Sequence, residues 1–413
     1  MYITHTDRRT SSWQRAALAL LSASAFTGAS AAYIKKRQGS ESPSFDWTSV
    51  PLNYSNPEEG FGAVPLISSP SPLVNTSSYR GPVLINPGGP GGSGVDMVVG
   101  LGSYVQNLLG KEFDILSFDP RGTQCQCSYA RVNYPGTAEE ELQWIQKYTQ
   151  WVDLTEDSWP TLPERMKEIE EFALLSKRER GDVLKHATTD NVARDMLSID
   201  NIERMIIDGV LDQEGYYNND FTLNIADGDK ALTWFFGTCA DAGPERCSFH
   251  AESSEAIRER YHGVETLVKN SKIILPDGIH FDVNFMQALM FSLLYDPGTF
   301  PLLAEILASI EQNDMAPILE HLAKGAGVSP FVTVSLRCTD TAVVNDTAEE
   351  LEEYSVRVGS ASEYFSGAVA GVRLSCGGWK VNPDNFKGPM GGNTSFPLLF
   401  VGNTADPATP LLA

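Results

Sequence analysis

Asn86-Pro87-Gly88-Gly89-Pro90-Gly91-Gly92-Ser93-Gly94 is the stretch on which the fold turns. It follows a short β-branched run, Gly81-Pro82-Val83-Leu84-Ile85. A glycine-rich turn after a strand lets backbone N–H groups approach a ligand closely, because glycine has no Cβ and reaches positive φ without strain. A phosphate cradle would need G-x-x-x-x-G-K-[ST], and this loop has no lysine. A dinucleotide fingerprint would need G-x-G-x-x-G; the spacing differs here and the prolines fit poorly. An oxyanion loop, whose N–H groups face developing negative charge, fits best. A purely structural turn is the alternative.

Working outward, other short apolar runs end in turn residues. Phe45 to Leu52 and Phe61 to Ile67 read as two strands near the start. Phe113 to Asp119 is closed by Pro120-Arg121-Gly122, and Ile202 to Gly209 and Phe396 to Gly402 follow later. Short apolar runs separated by helical segments are the mark of a buried, mostly parallel sheet of the α/β class, wound on both faces. Between Lys230 and Gly359 the pattern is helical: Glu255 to Val268, Phe285 to Leu294, and Pro301 to Ile310, with Pro301 suited to a first turn. A helical insertion between two strands reads as a cap, or else as an independent helical domain. The expected division is an N-terminal segment 1–32, a first core part 45–222, a helical cap 223–390 and a core return 391–413.

The loop Asn86 to Gly94 and the run FDILSFDPRG over Phe113 to Gly122 resemble the proline-iminopeptidase and tripeptidyl-aminopeptidase-like branch of the α/β-hydrolases. Glu203 to Val210, Thr238 to Pro244 and Asn403 to Pro410 are similar to later landmarks of that family, in family order. The resemblance implies an α/β-hydrolase fold with a helical cap inserted before the acid-bearing strand. It implies a serine exopeptidase that releases residues or short peptides from N-termini, and ester or lactone hydrolases share the scaffold. Gly88 and Gly89 would supply the oxyanion N–H. Asp406 would be the triad acid, which fixes the histidine tautomer and stabilises imidazolium; a turn-forming aspartate before Pro407 is the alternative. Asp119 and Arg121 read as structural groups closing the turn after their strand.

The sequence departs from that family where the chemistry should be. No G-x-S-x-G elbow is present; Gly91-Gly92-Ser93-Gly94-Val95 comes nearest but lies in the oxyanion loop. Ile199 runs almost directly into Ile202, where a strand, an elbow and a helix are expected, roughly 30 residues or one β-α crossover unit. The triad order is Ser, then Asp or Glu, then His, yet His186, His250, His262, His280 and His321 all precede Asp406 and the chain stops at Ala413. The expectation is an incomplete core without nucleophile or base. Loss of whole elements with intact flanks points to a spliced-out or mis-joined segment; a pseudoenzyme or non-catalytic binding protein is the rival.

Composition narrows the setting. The net charge is −22, which repels phosphate backbones and anionic lipid heads, so nucleic acid is not an expected partner. Arg8, Arg9 and Arg15 precede an apolar run from Ala16 to Ala32 that reads as a secretory signal or an uncleaved anchor. Only the anchor would give a stable membrane partner. Lys35-Lys36-Arg37 is a processing site or a solvated cluster. A secreted, vacuolar or extracellular glycoprotein is therefore expected. Sequons at Asn53, Asn75, Asn345 and Asn393 and six cysteines fit that setting. Cys239 with Cys247 and Cys338 with Cys376 are the preferred bridges, while Cys125 and Cys127 sit too close for an unstrained mutual one. No C-x-x-C pair exists and the histidines are scattered, so neither metal nor cofactor is expected; the partner is a peptide or small ester substrate.

Overall fold

The computed structural model describes residues 43–123, 159–200, 204–275, 280–323, 330–383 and 391–411, together with Tyr134, Gly136, Thr137, Glu140, Trp144, Phe386 and Gly388. The N-terminal segment 1–32, the basic triplet at 35–37, and Cys125 and Cys127 lie outside the described residues.

The chain opens with β1 (Ser44–Pro51), β2 (Phe61–Ser69) and β3 (Gly81–Ile85). Helix α1 (Gly94–Leu109) leads to β4 (Phe113–Phe118). Two further helices follow, α2 (Leu162–Leu184) and α3 (Thr189–Ile199), then β5 (Ile206–Asp208). These strands fall on the apolar runs, because each run is bounded by glycine, proline or a charge that ends the ladder. The run expected from Ile202 pairs only from Ile206, and Ile202 and Glu203 lie outside the described residues.

The sheet is mixed and comes in two pieces. One piece has the order β1-β2-β4-β3, with β1/β2 and β2/β4 antiparallel and β3/β4 parallel. The other pairs β5 in parallel with β8 (Leu399–Val401) near the C-terminus. Strand β8 is shorter than the run Phe396 to Gly402 because Pro397 has no N–H to give a ladder. Among the described residues nothing bridges β3 to the β5/β8 pair. The architecture is α/β, of the α/β-hydrolase kind, and among the described residues its β3 and β5/β8 strands stand in separate sheets.

Between β5 and β8 the chain is almost wholly helical. Short α4 (Gln213–Tyr217) precedes α5 (Gly228–Ala242) and α6 (Ser254–Asn270). A small hairpin of β6 (Ile273–Ile274) and β7 (His280–Phe281) leads to α7 (Val283–Leu294) and α8 (Phe300–Glu311). The run ends with α9 (Ala316–Ala323), α10 (Pro330–Asp340), α11 (Ala348–Gly359) and α12 (Ser366–Leu374). The expected helices at 255–268, 285–294 and 301–310 are α6, α7 and α8, each started as its sequence dictates. Ser253 caps α6, Asp282 caps α7, and proline stands in the first turn of α8.

Most of the buried apolar surface belongs to this helical body, around Phe235, Phe236, Tyr261, Leu289, Leu303 and Phe365. The sheet buries far less: Val50, Val64 and Phe118 on one face, and Ile67, Val98 and Ile115 on the other. Both preferred disulfides are formed. Cys239–Cys247 spans 5.4 Å between Cα atoms and ties the end of α5 to its following turn. Cys338–Cys376 spans 5.2 Å and ties α10 to the end of α12. Closing that 38-residue loop removes unfolded-state freedom, worth about 4 kcal/mol in the chain-entropy account. No described helix is long and apolar enough to cross a membrane.

Candidate active site

The glycine loop sits at the carboxyl end of β3, where α/β sheets place their ligands. Gly88, Gly89 and Gly91 have φ of 75°, 122° and 108°, a left-handed backbone that other residues resist. The Gly88 N–H donates to Oδ1 of Asn86 at 3.2 Å, and the Gly92 N–H donates back to Gly88 O at 3.0 Å. Gly89 N–H makes no hydrogen bond among the described residues, so of the two sequence-assigned donors it is the one left open.

Ser93 caps helix α1. Its Oγ accepts from the Asp96 N–H at 3.0 Å and donates to Asp119 Oδ1 at 2.7 Å. Asp119 is buried at the end of β4 and also accepts from the Val95 N–H at 3.0 Å. Burial pushes its carboxyl up, and the Val95 and Ser93 bonds pull it partly back. Asp119 thus welds the start of α1 to β4 and holds the glycine loop over the strand ends. The weld is tight: a Cβ on Gly94 would lie 2.1 Å from both Phe118 O and Ser117 Oγ. Replacing Gly94 by alanine therefore forces α1 off β4 at a cost of about 3 kcal/mol. Limited proteolysis is expected to cut the variant within 86–118 at protease levels that spare the parent; equal resistance contradicts this contact.

Arg121 is buried at the turn after β4. Its Nε and NH2 form a bidentate pair with Asp195 at 2.7 and 2.5 Å. The remaining N–H groups reach Pro51 O, Leu52 O and His186 O. Both partners are buried, and the Tyr54 hydroxyl donates to Asp195 at 2.8 Å. The pair fastens β1 and the turn after β4 to α3. Asp195 was not legible in the sequence, since 74 residues separate it from Arg121 and nothing local marks it.

Asp406 lies half-buried just past β8, at the carboxyl end of the second sheet piece. Its Oδ1 accepts the N–H groups of Ala408 and Thr409 at 3.0 and 2.8 Å, and Oδ2 accepts from Asn403 Nδ2 at 3.3 Å. Asn224 in the helical body donates to Ala408 O at 3.1 Å, which holds the acid loop against the helices. The buried Tyr295 phenol is pushed up, first by burial and then by the negative charge of Asp406 nearby. Each oxygen of Asp406 is thus oriented, but no described histidine is hydrogen-bonded to it.

The described histidines lie away from Asp406's hydrogen bonds. His186 gives its carbonyl to Arg121 and its Nε2 lies 3.8 Å from Glu59; burial, then Lys185, lowers its pKa. His250 Nδ1 is 3.4 Å from Cys239 O. His262 stands between the Tyr364 hydroxyl and Glu265. His280 is on the surface of the β6/β7 hairpin and His321 is in α9. The structure thus brings together Gly88, Gly89, Ser93 and Asp119 at one strand end and places Asp406 at another, and among the described residues no Ser–His pair lies between them.

Comparison with known proteins agrees with this geometry. The family model described as TAP-like protein matches residues 362–413, which contain the acid loop. Serine protease Hip1 of Mycobacterium tuberculosis is 24% identical over 421 aligned positions, covering 88% of this chain and 76% of that protein. Its counterpart in Mycobacterium bovis matches equally. Carboxylesterase B of M. tuberculosis is 37% identical over 75 residues, 18% of this chain and 14% of that protein. Taken with the interrupted α/β sheet and the glycine loop at its carboxyl edge, these similarities support an α/β-hydrolase of the serine-peptidase family.

Proposed function

We propose that this chain is a peptidase scaffold of the exopeptidase kind, related to enzymes that release residues or short peptides from N-termini, and that in its present sequence it does not turn substrate over. Residues 223–390 act as the cap over the strand ends, and 391–413 return the acid loop to the sheet. The protein works outside the cytoplasm, in a secreted or vacuolar setting. One observation carries the reading on turnover: Asp406 is oriented by Asn403, Ala408 and Thr409, yet among the described residues no histidine is hydrogen-bonded to it, and no G-x-S-x-G is written in this sequence. Without an activated nucleophile and its base, acyl transfer lacks the steps that form and resolve a covalent intermediate.

The test is labelling by a fluorophosphonate probe together with hydrolysis of aminoacyl and peptidyl chromogenic substrates. Neither label nor turnover above background is expected. Stoichiometric label on one serine, with turnover, would overturn the reading. Similarity to a carboxylesterase over 75 residues favours ester hydrolysis as the second reading, for which simple esters are the discriminating substrates. A non-catalytic binding protein using the open Gly89 N–H predicts saturable peptide binding by calorimetry with no product.

A further inference from the structure

The four sequons look alike in sequence but not in the fold. Asn53 is half-buried and its amide is engaged at both ends: Oδ1 accepts from the Ser55 and Asn56 N–H groups at 2.9 and 3.3 Å, and Nδ2 donates to Glu59 at 3.2 Å. Its neighbours are held too. Pro51 O and Leu52 O accept from Arg121, and Tyr54 reaches in to Asp195. This sequon therefore wraps the buried ion pair that ties β1 to α3.

The other three stand free. Asn75, Asn345 and Asn393 are exposed, and their side-chain amides make no hydrogen bond among the described residues. Asn75 lies in the turn region before β3, with Thr76 turned onto Leu73 O. Asn345 projects between two anchored neighbours: Val344 bridges to Gly377, and Asp346 pairs with Arg373 at 2.5 Å. Its sequon threonine, Thr347, accepts the Glu350 N–H as the cap of α11 and keeps its hydroxyl proton for donation. Asn393 belongs to the exposed stretch 391–400.

We propose that Asn75, Asn345 and Asn393 carry N-linked oligosaccharide in the folded protein and that Asn53 stays bare. The inference rests on the secretory reading. In the transfer, Nδ2 attacks C1 of a lipid-diphosphate-linked oligosaccharide: the N–C1 bond forms, the C1–O bond breaks, the diphosphate leaves and the amide proton passes to base. Sugar on Asn53 would replace the Nδ2–Glu59 bond and pry the turn from the Arg121–Asp195 pair, so chains so modified do not reach the folded pool.

The experiment expresses the full chain in a glycosylating eukaryotic host, once as it stands and once behind an added secretion leader. The fraction inside membranes or in the medium is digested with an N-glycan-specific endoglycosidase. Three mobility steps are expected. Asn75→Gln, Asn345→Gln and Asn393→Gln each remove one step, and Asn53→Gln removes none. Thr347→Ser retains the Asn345 step, whereas Thr347→Ala removes it. Exclusion of the chain without the added leader overturns the secretory reading alone. With the leader, translocated protein lacking sugar at the three exposed sites, or bearing it equally on Asn53, overturns the site assignment.

Discussion

Heated or titrated with denaturant, the chain is expected to lose its sheet in an early, broad transition, well before the disulfide-bonded helical body unfolds. The reason lies in how apolar surface is distributed. Parallel strands are ordinarily covered on both faces. Here Ile206 is 65% exposed, and Leu399 and Phe400 are each 55% exposed. Leu197 of α3 and Tyr104 and Leu108 of α1 are also open to solvent. Fully burying a side chain of this size contributes roughly 1.5–3 kcal/mol. Half-exposure of several such residues therefore forfeits on the order of 5 kcal/mol, comparable with a whole domain's margin of roughly 5–15 kcal/mol. The sheet's own buried clusters are too small to offset this, whereas the helical body has an extensive core and both described bridges.

The same reasoning says what would repair the sheet. A strand–turn–helix unit of about 30 residues inserted between Ile199 and Asp200 is expected to merge the two transitions and abolish binding of a hydrophobic dye. The transcript is expected to contain such an in-frame segment, encoding an apolar strand followed by G-x-S-x-G. Sequencing across that junction, together with a calorimetric scan, checks both statements. A single sharp melt of the present chain, with no dye binding and a transcript matching it, would leave the non-catalytic binding protein ahead.

A second large effect is expected on removing Arg121. Arg121→Met leaves the fully buried Asp195 carboxylate with Tyr54 as its side-chain donor, and breaking one half of a buried pair costs about 3–5 kcal/mol. The early transition should move down or vanish, while unfolding of the helical body stays in place. The pH dependence has a definite sign. Burial already pushes the Asp195 carboxyl up, with Arg121 and then Tyr54 pulling it back. Without the guanidinium the folded-state pKa rises further above its unfolded value. The penalty is then full above the folded pKa and fades as pH falls through it, because the protonated acid no longer needs a cation. Arg121→Met combined with Asp195→Leu should recover most of the loss. A single variant as stable as the parent at neutral pH, or one equally weakened at acid pH, would contradict this account.

Local patterns in the sequence determined the strands β1 to β4, the helices with capped or proline-marked starts, and the glycine loop with its positive-φ backbone. Each depends on neighbours a few residues apart, through alternation, capping or freedom at positive φ. Asp406 and the two disulfides followed from resemblance and cysteine spacing, and the missing elbow followed from a motif that is simply not written. Other facts belonged to the tertiary structure alone. Only there does Asp195 meet Arg121, Ser93 become a cap bound to Asp119, and the Gly88 N–H prove to be taken by Asn86 while Gly89 stays open. Only there do four equal sequons separate into three free amides and one held shut. The division has one physical cause: capping and turn geometry are set by residues adjacent in the chain, whereas burial and ion pairing depend on which distant segments the sheet and helices bring into contact.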